Sequence, residues 1–209
     1  MIYNVQVYIL LIQTMGTSMN TPETEQPRKR APRNPEKRKQ KIIDAAASLI
    51  AQEGSNKLTH RKVAELAGVP LGSTTQYFKS IDELRRAGLS QLAQEIEQEY
   101  NDMFLVIAEN KSRNKVIADA INAYLSEPKT LRADAALYTA AIEDPEVRTI
   151  TKKNFESFLA RCEPYMEIEQ AKILFAFVEG AVINSCFMDV PYDSHTIETA
   201  VNLILDNPQ

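Results

Sequence analysis

The chain has 209 residues, of which 44% are hydrophobic and 25% charged, with 6 Gly, 2 Cys and no Trp. That length is enough to bury a core in one or two small domains, and the composition excludes a collagen-like, low-complexity or disulfide-stapled chain. The net charge of −4 argues against wrapping of nucleic acid by the whole protein, but it hides a segregation: Arg28 to Arg86 carries 14 Lys and Arg against 6 Asp and Glu, and Ala87 to Gln209 carries 10 against 20. A basic head on an acidic body confines a polyanionic partner to the head.

Residues 1–35 are expected to be an N-terminal extension and basic arm. Ile2 to Ile12 is mostly apolar but too short to span a membrane, and no basic flank makes it a signal peptide. A second methionine, Met19, opens the polar stretch that follows, which predicts a translation start there. Residues 20–35 hold Pro22, Pro27, Pro32 and Pro35 with Arg28, Lys29, Arg30 and Arg33. That composition predicts a disordered arm, serving either as a solubilising tail or as a strand that follows DNA.

Residues 36–80 are expected to form a DNA-binding domain of three helices. The first runs from about Glu36 to Glu53, with Ile42, Ile43, Ala46, Leu49 and Ile50 on one apolar face and Gly54 as its stop. Lys37, Arg38, Lys39 and Lys41 crowd its first turns. Cations at a helix N-terminus cost a few tenths of a kcal/mol each, a cost that phosphates would offset. Next, Thr59 caps a short helix with Val63, Leu66 and Ala67 on one face, and Gly68 closes it. A second short helix, Leu71 to Phe78, is rich in small and polar residues, which suits a major groove better than a core. Two short helices joined by a glycine turn make a helix-turn-helix.

Residues 81–209 are expected to be a helical regulatory and dimerisation domain. A long helix starts near Asp82, with Ser80 as cap and Glu83 completing a capping box, and reaches about Glu109. Helices follow at Asn114 to Ser126, Leu131 to Ile142, Pro145 to Arg161, Ile168 to Met188 and Ser194 to Leu205, the last with Ser194 as its cap. No alternating strand pattern and no repeat interrupts them. The fold class is therefore all-α: a three-helix head joined by a long helix to a helical-bundle body. Both cysteines, Cys162 and Cys186, fit small core hydrophobes in a reducing cytoplasm.

The pieces Thr59-x-Arg61-x-Val63-Ala64, Ala67-Gly68-Val69, Gly72-Ser73, Tyr77-Phe78 and Glu83-Leu84 together resemble the tetracycline-repressor (TetR-like) family of bacterial regulators. The resemblance implies a repressor that is a homodimer, with a ligand pocket in the body and a four-helix dimer interface made by the last two long helices, Ile168–Met188 and Ser194–Leu205. It implies that ligand moves the connecting helix and respaces the two heads. Two positions depart from the pattern: Thr75 stands where the family often has Tyr, and Ile81 where it often has Lys. Lys79 is the nearby cation able to replace that charge.

The residues assigned to DNA divide by chemistry. Arg61 matches a family arginine that contacts guanine, and a guanidinium pairs with guanine O6 and N7; the competing role is a phosphate contact or a solvated charge. Leu71, Gly72, Thr75 and Gln76 match positions that face base edges in relatives, and Gln76 suits adenine. Lys39, Thr59, Ser73, Tyr77 and Lys79 suit phosphate. Val63, Ala64, Leu66, Val69 and Phe78 are expected in the head's core.

Nothing points to catalysis or a cofactor. His60 and His195 lie near no cluster with metal-ligand spacing, and neither a phosphate loop nor a nucleophile elbow is present. In the body, Phe104, Tyr124, Tyr138, Phe155, Phe158, Cys162, Tyr165, Phe175 and Phe177 are core at helical spacing, some of them candidates for an apolar ligand pocket. Asn184 and Ser185 suit either dimer register or a ligand. The leading expectation is a cytoplasmic regulator that binds a double-stranded operator and is released by a small-molecule effector. The competing ones are a regulator without an effector and an adaptor that has lost DNA binding.

Overall fold

The computed structural model describes residues 34–108, 113–188 and 192–206. The expected arm and the Met19 start fall outside them. From Glu36 onward the chain forms one compact unit, and among the described residues the regular structure is helical: α1 (Pro35–Glu53), α2 (His60–Ala67), α3 (Leu71–Tyr77), α4 (Ile81–Ala108), α5 (Arg113–Leu125), α6 (Pro128–Glu143), α7 (Pro145–Cys162), α8 (Ile168–Ser185) and α9 (Ser194–Leu205), with a 3-10 turn at Ser55–Lys57.

The head is built on α1, whose Ile42, Ala46 and Ile50 are fully buried. At the α1–α4 crossing a Cβ on Gly88 would stand 2.9 Å from the Ile50 Cδ1 and 3.2 Å from the Ala46 carbonyl carbon. A side chain there would press on both, so glycine suits this close crossing of the two helices. The expected turn is also present: Thr59 Oγ1 accepts from the Lys62 N–H at 3.2 Å, and Gly68 adopts φ 63°, ψ 37°, the left-handed cap that reverses the chain into α3. Ser80 Oγ accepts from the Glu83 N–H, but the Glu83 carboxylate returns to the N–H of Lys79 at 2.7 Å rather than to that of Ser80.

The body is a bundle in which α7 lies against α4 and α6, and α9 lies on α5. Arg161 latches α7 to α4 through Glu97 at 2.6 Å and Asn101 at 2.8 Å, and Asn154 donates to the Ala93 carbonyl at 2.9 Å. Asn114 ties α5 to Asn202 and Asp206 at the end of α9.

Four sequence expectations are corrected. Leu66 is 51% exposed instead of buried. An eight-residue helix in a three-helix head is covered along one narrow stripe, and Val63 and Ala64 occupy it. Cys186 is exposed, whereas Cys162 is buried, because α8 ends at Ser185 and Cys186 sits on its C-cap. Asp193, not Ser194, caps α9; its carboxylate accepts from the Thr196 N–H at 2.7 Å. Val182, on the helix expected to pair with a second copy, is fully buried within this one.

Candidate nucleic-acid interface and body pocket

In α3 the side chains sort by helical period. Ser73 and Thr74 turn inward, at 9% and 0% exposure, and Tyr77 is half-buried against the core. Leu71, Gly72, Thr75 and Gln76 are exposed. Positions i, i+1, i+4 and i+5 share one side of an α-helix, so these four make one outward stripe. Thr75 Oγ1 donates back to the Gly72 carbonyl at 3.2 Å, which holds its methyl outward. Lys79 Nζ donates to the Gln76 carbonyl at 3.3 Å, placing a cation at the negative end of α3.

Around this stripe, Lys39, Thr59, Arg61 and Lys79 are exposed. Among the described residues no hydrogen bond or ion pair holds the Arg61 guanidinium. The next residue, Lys62, is engaged by Glu53 at 2.6 Å, and that pair draws the Glu53 carboxyl below its ordinary value. Ser73 is the site candidate that the fold withdraws, since it packs inward while its neighbours face out.

The body holds a second feature. A cavity of about 40 Å³ lies among α4, α5, α7 and α8, lined by rings that include Tyr100, Phe104, Tyr124, Phe158 and Phe175. Phe158 is their hub, with centroids 5.5 Å from Tyr100, 5.8 Å from Phe104 and 5.1 Å from Phe175. Into this apolar wall comes Glu179, whose two carboxylate oxygens are sealed from solvent with no hydrogen-bond partner of normal geometry. Burial, and next the charge of Asp134, raise its pKa, and the neighbouring Tyr138 hydroxyl pulls the other way. Asp134 on α6 is itself 3% exposed and accepts from the Tyr124 hydroxyl at 2.7 Å. Its pKa is also raised, by burial. Glu99 beside it is pushed up to about 7 by burial and then by Glu95.

Sequence reasoning found several of the aromatic walls but not Tyr100, Glu99, Asp134 or Glu179. The signal for Glu179 was present: a lone carboxylate inside Phe175-Ala176-Phe177-Val178-Glu179-Gly180-Ala181-Val182, a run that has no use for a charge as core. Asn184 donates to the Tyr192 hydroxyl at 2.8 Å, and Ser185 Oγ is buried without a partner. Among the described residues no group of three or more His, Cys, Asp and Glu is placed to hold a metal ion, and no helix is long and apolar enough to cross a membrane.

Residues 42–87, which span α1 to the start of α4, match the family model of "Bacterial regulatory proteins, tetR family". In this region the chain is similar to the TetR family. No curated protein matches it, but solved structures do. A protein of Streptomyces coelicolor A3(2) assigned as a transcriptional regulator is 26% identical, with a TM-score of 0.70 over 82% of this chain and 99% of its own. A TetR-family member from Streptomyces coelicolor A3 is 27% identical, with a TM-score of 0.68 over 80% and 98%. The multidrug binding protein EbrR in complex with ethidium is 27% identical, with a TM-score of 0.67 over 80% and 98%. This likeness to TetR-family transcriptional regulators agrees with the all-α architecture and with a helix-turn-helix at α2–α3.

Proposed function

We propose that the protein is a TetR-family regulator that binds a double-stranded operator as a homodimer, in the cytoplasm, and is released when a small molecule enters the body. Arg61, Leu71, Gly72, Thr75 and Gln76 read base edges; Lys39, Thr59, Tyr77 and Lys79 contact phosphate, and Ser73 supports α3 from within. The observation that carries the effector half is the body interior: apolar rings around the carboxylate of Glu179, both of whose oxygens are sealed from solvent beside the Tyr138 hydroxyl. EbrR has also been determined in complex with imidazole, proflavin and malachite green, so a fold similar over most of this chain takes up small aromatic molecules.

The cavity's size supports a switch. Pockets for drug-sized ligands run to roughly 300–1,000 Å³, and this one holds about 40 Å³. A ligand must therefore part helices that now touch, and it binds the parted state better than the closed one. Differential affinity of that kind is what moves an equilibrium. The same small volume also favours the second assignment, a regulator whose body takes no effector.

The test is fluorescence anisotropy on labelled DNA from upstream of the chain's own coding region, with unrelated DNA as control and a panel of aromatic compounds as competitors. Specific binding, weakened at least tenfold by one compound that leaves non-specific DNA unaffected, supports the proposal. Equal affinity for all DNA overturns the operator assignment. Specific binding that no compound disturbs favours the effector-free regulator.

A further inference from the structure

We propose that Leu71 and Thr75 read the C5-methyl groups of thymines in each operator half-site, so that part of the sequence preference is apolar; this rests on the operator assignment above. The outward stripe of α3 is Leu71, Gly72, Thr75 and Gln76, and it carries no charge. Lys39, Arg61 and Lys79, which suit a polyanion, stand exposed around it. A single exposed leucine is ordinary on a protein surface. Leu71, at 51% exposure, is instead one of a pair with Thr75, four positions on and on the same face. Behind them Thr74 is fully buried, which fixes the rotation of α3 about its own axis.

This stripe offers few hydrogen bonds. Leu71 and Gly72 have no polar side-chain atom. The Thr75 hydroxyl donates to the Gly72 carbonyl at 3.2 Å, so the helix's own backbone takes its proton and the methyl is left to face out. Gln76 alone of the four presents an amide. In the major groove the apolar group among the base edges is the thymine C5-methyl, and side-chain methyls pack against it. That complementarity names the base. Side chains four apart on a helix stand about 5–6 Å from each other at Cβ, and successive bases of a strand rise about 3.4 Å. The two side chains therefore meet base pairs one or two steps apart.

Gly72 brings α3 close enough for a side chain as short as Thr75 to touch a base. Its φ is not positive, and a Cβ there would meet nothing within 4 Å. Neither backbone conformation nor packing in the head calls for glycine at this position, unlike Gly68 in its left-handed cap. A missing side chain on the outward face lets the backbone approach a bound partner more closely.

Duplexes selected by the full chain from a random-sequence pool supply the half-site. Fluorescence anisotropy at one fixed salt then compares each thymine with deoxyuridine, which pairs identically but lacks the C5-methyl. The expected result is two positions per half-site at which removal of the methyl weakens binding about fourfold, the effect of burying one methyl-sized group. Leu71→Ala should abolish the loss at one of them and Thr75→Ser at the other. Thr75→Val, which keeps a methyl and lacks the hydroxyl, should retain both. These variants should melt with the parent chain, because both residues are exposed. Gly72→Ala should melt no lower and bind the selected duplex more weakly; equal binding would overturn the close approach that Thr75 needs. Selected half-sites without thymine, or whose thymines all tolerate deoxyuridine, overturn the proposal and leave the operator assignment standing. So does a methyl effect that survives in both Leu71→Ala and Thr75→Ser, or one lost in Thr75→Val and kept in Thr75→Ser, which would make the hydroxyl the reader. A pool from which no sequence emerges overturns the operator assignment itself, and this proposal with it.

Discussion

Arg132 on α6 donates through its Nε to the carbonyl of Ala51, in the last turn of α1, at 3.1 Å. Two residues further along α6, Asp134 faces the buried acidic interior. One helix thus touches both the head's first helix and the surroundings of the body cavity. Arg86 makes a second bridge, from α4 to Glu146 at 2.5 Å and Asp144 at 3.5 Å at the start of α7. A displacement of α6 that admits a ligand must stretch the Arg132–Ala51 bond. Arg132→Met should cost on the order of 1 kcal/mol in urea denaturation and reduce effector-driven operator release more than it reduces DNA affinity. Release as complete as in the parent chain would show that α6 carries no signal to the head.

The two kinds of DNA contact separate by mutation. Arg61→Ala should relax preference at one base pair per half-site, on the order of 1–3 kcal/mol for each bidentate pair lost. Tyr77→Phe should weaken operator and unrelated DNA alike, because a phosphate contact carries no sequence information. Binding to the operator, to single-base variants and to unrelated DNA at one fixed salt decides between them. A uniform loss for Arg61→Ala would make Arg61 a phosphate contact.

Salt reports on the arm. With Lys37, Arg38, Lys39 and Lys41 on α1 and four arginines and lysines between Arg28 and Arg33, the logarithm of affinity should fall steeply with that of salt, since each neutralised phosphate releases counterion. Deleting residues 1–33 should flatten that slope. An unchanged slope would reduce the arm to a solubilising tail.

A stripe on α8 predicts the assembly. Ile173, Ala176, Gly180 and Ile183 are all exposed and recur at spacings of three and four, one face of a helix with small residues at its middle, and Phe187 is exposed just past its end. Ile173 is 47% exposed, Phe187 68%, and Leu203 on α9 63%. An apolar face of this kind suits a two-fold contact between copies. Light scattering at micromolar concentration should give twice the mass of one chain, and Ile183→Glu should give the single mass. A parent chain that is already monomeric would sink the homodimer.

Glu99 makes stability depend on pH. Its carboxyl is raised from the ordinary 4.5 to about 7, first by burial and then by Glu95. A raised carboxyl binds its proton more tightly when folded, so its contribution is present below pH 4.5 and is lost as pH rises towards about 7. Glu179 and Asp134 act in the same direction. Glu99→Gln should match the parent chain near pH 4.5 and exceed it in stability by on the order of 1–3 kcal/mol at pH 8, measured as urea midpoints at each pH. A difference independent of pH would mean that the carboxyl is not shifted.

The local instructions were legible in the chain itself. Thr59 before a short apolar stripe, Gly68 where a left-handed residue is needed and Glu83 three residues after Ser80 act over a few bonds, so the turn and the helix starts could be read without knowing what packs on what. The segregation of charge that separates head from body is likewise a property of the chain alone. Only the tertiary structure decided which apolar and which charged residues are covered. Leu66 shares its spacing with Val63, yet the thin head leaves it in solvent; Val182 and Ile183 are chain neighbours, yet α8 buries one and exposes the other. Glu99, Asp134 and Glu179 come from three helices, and the charge of Asp134 reaches the other two only when α4, α6 and α8 converge. Burial is set by the distance between segments far apart in sequence, and helical periodicity, which reports the direction of a side chain, carries no record of what stands opposite it.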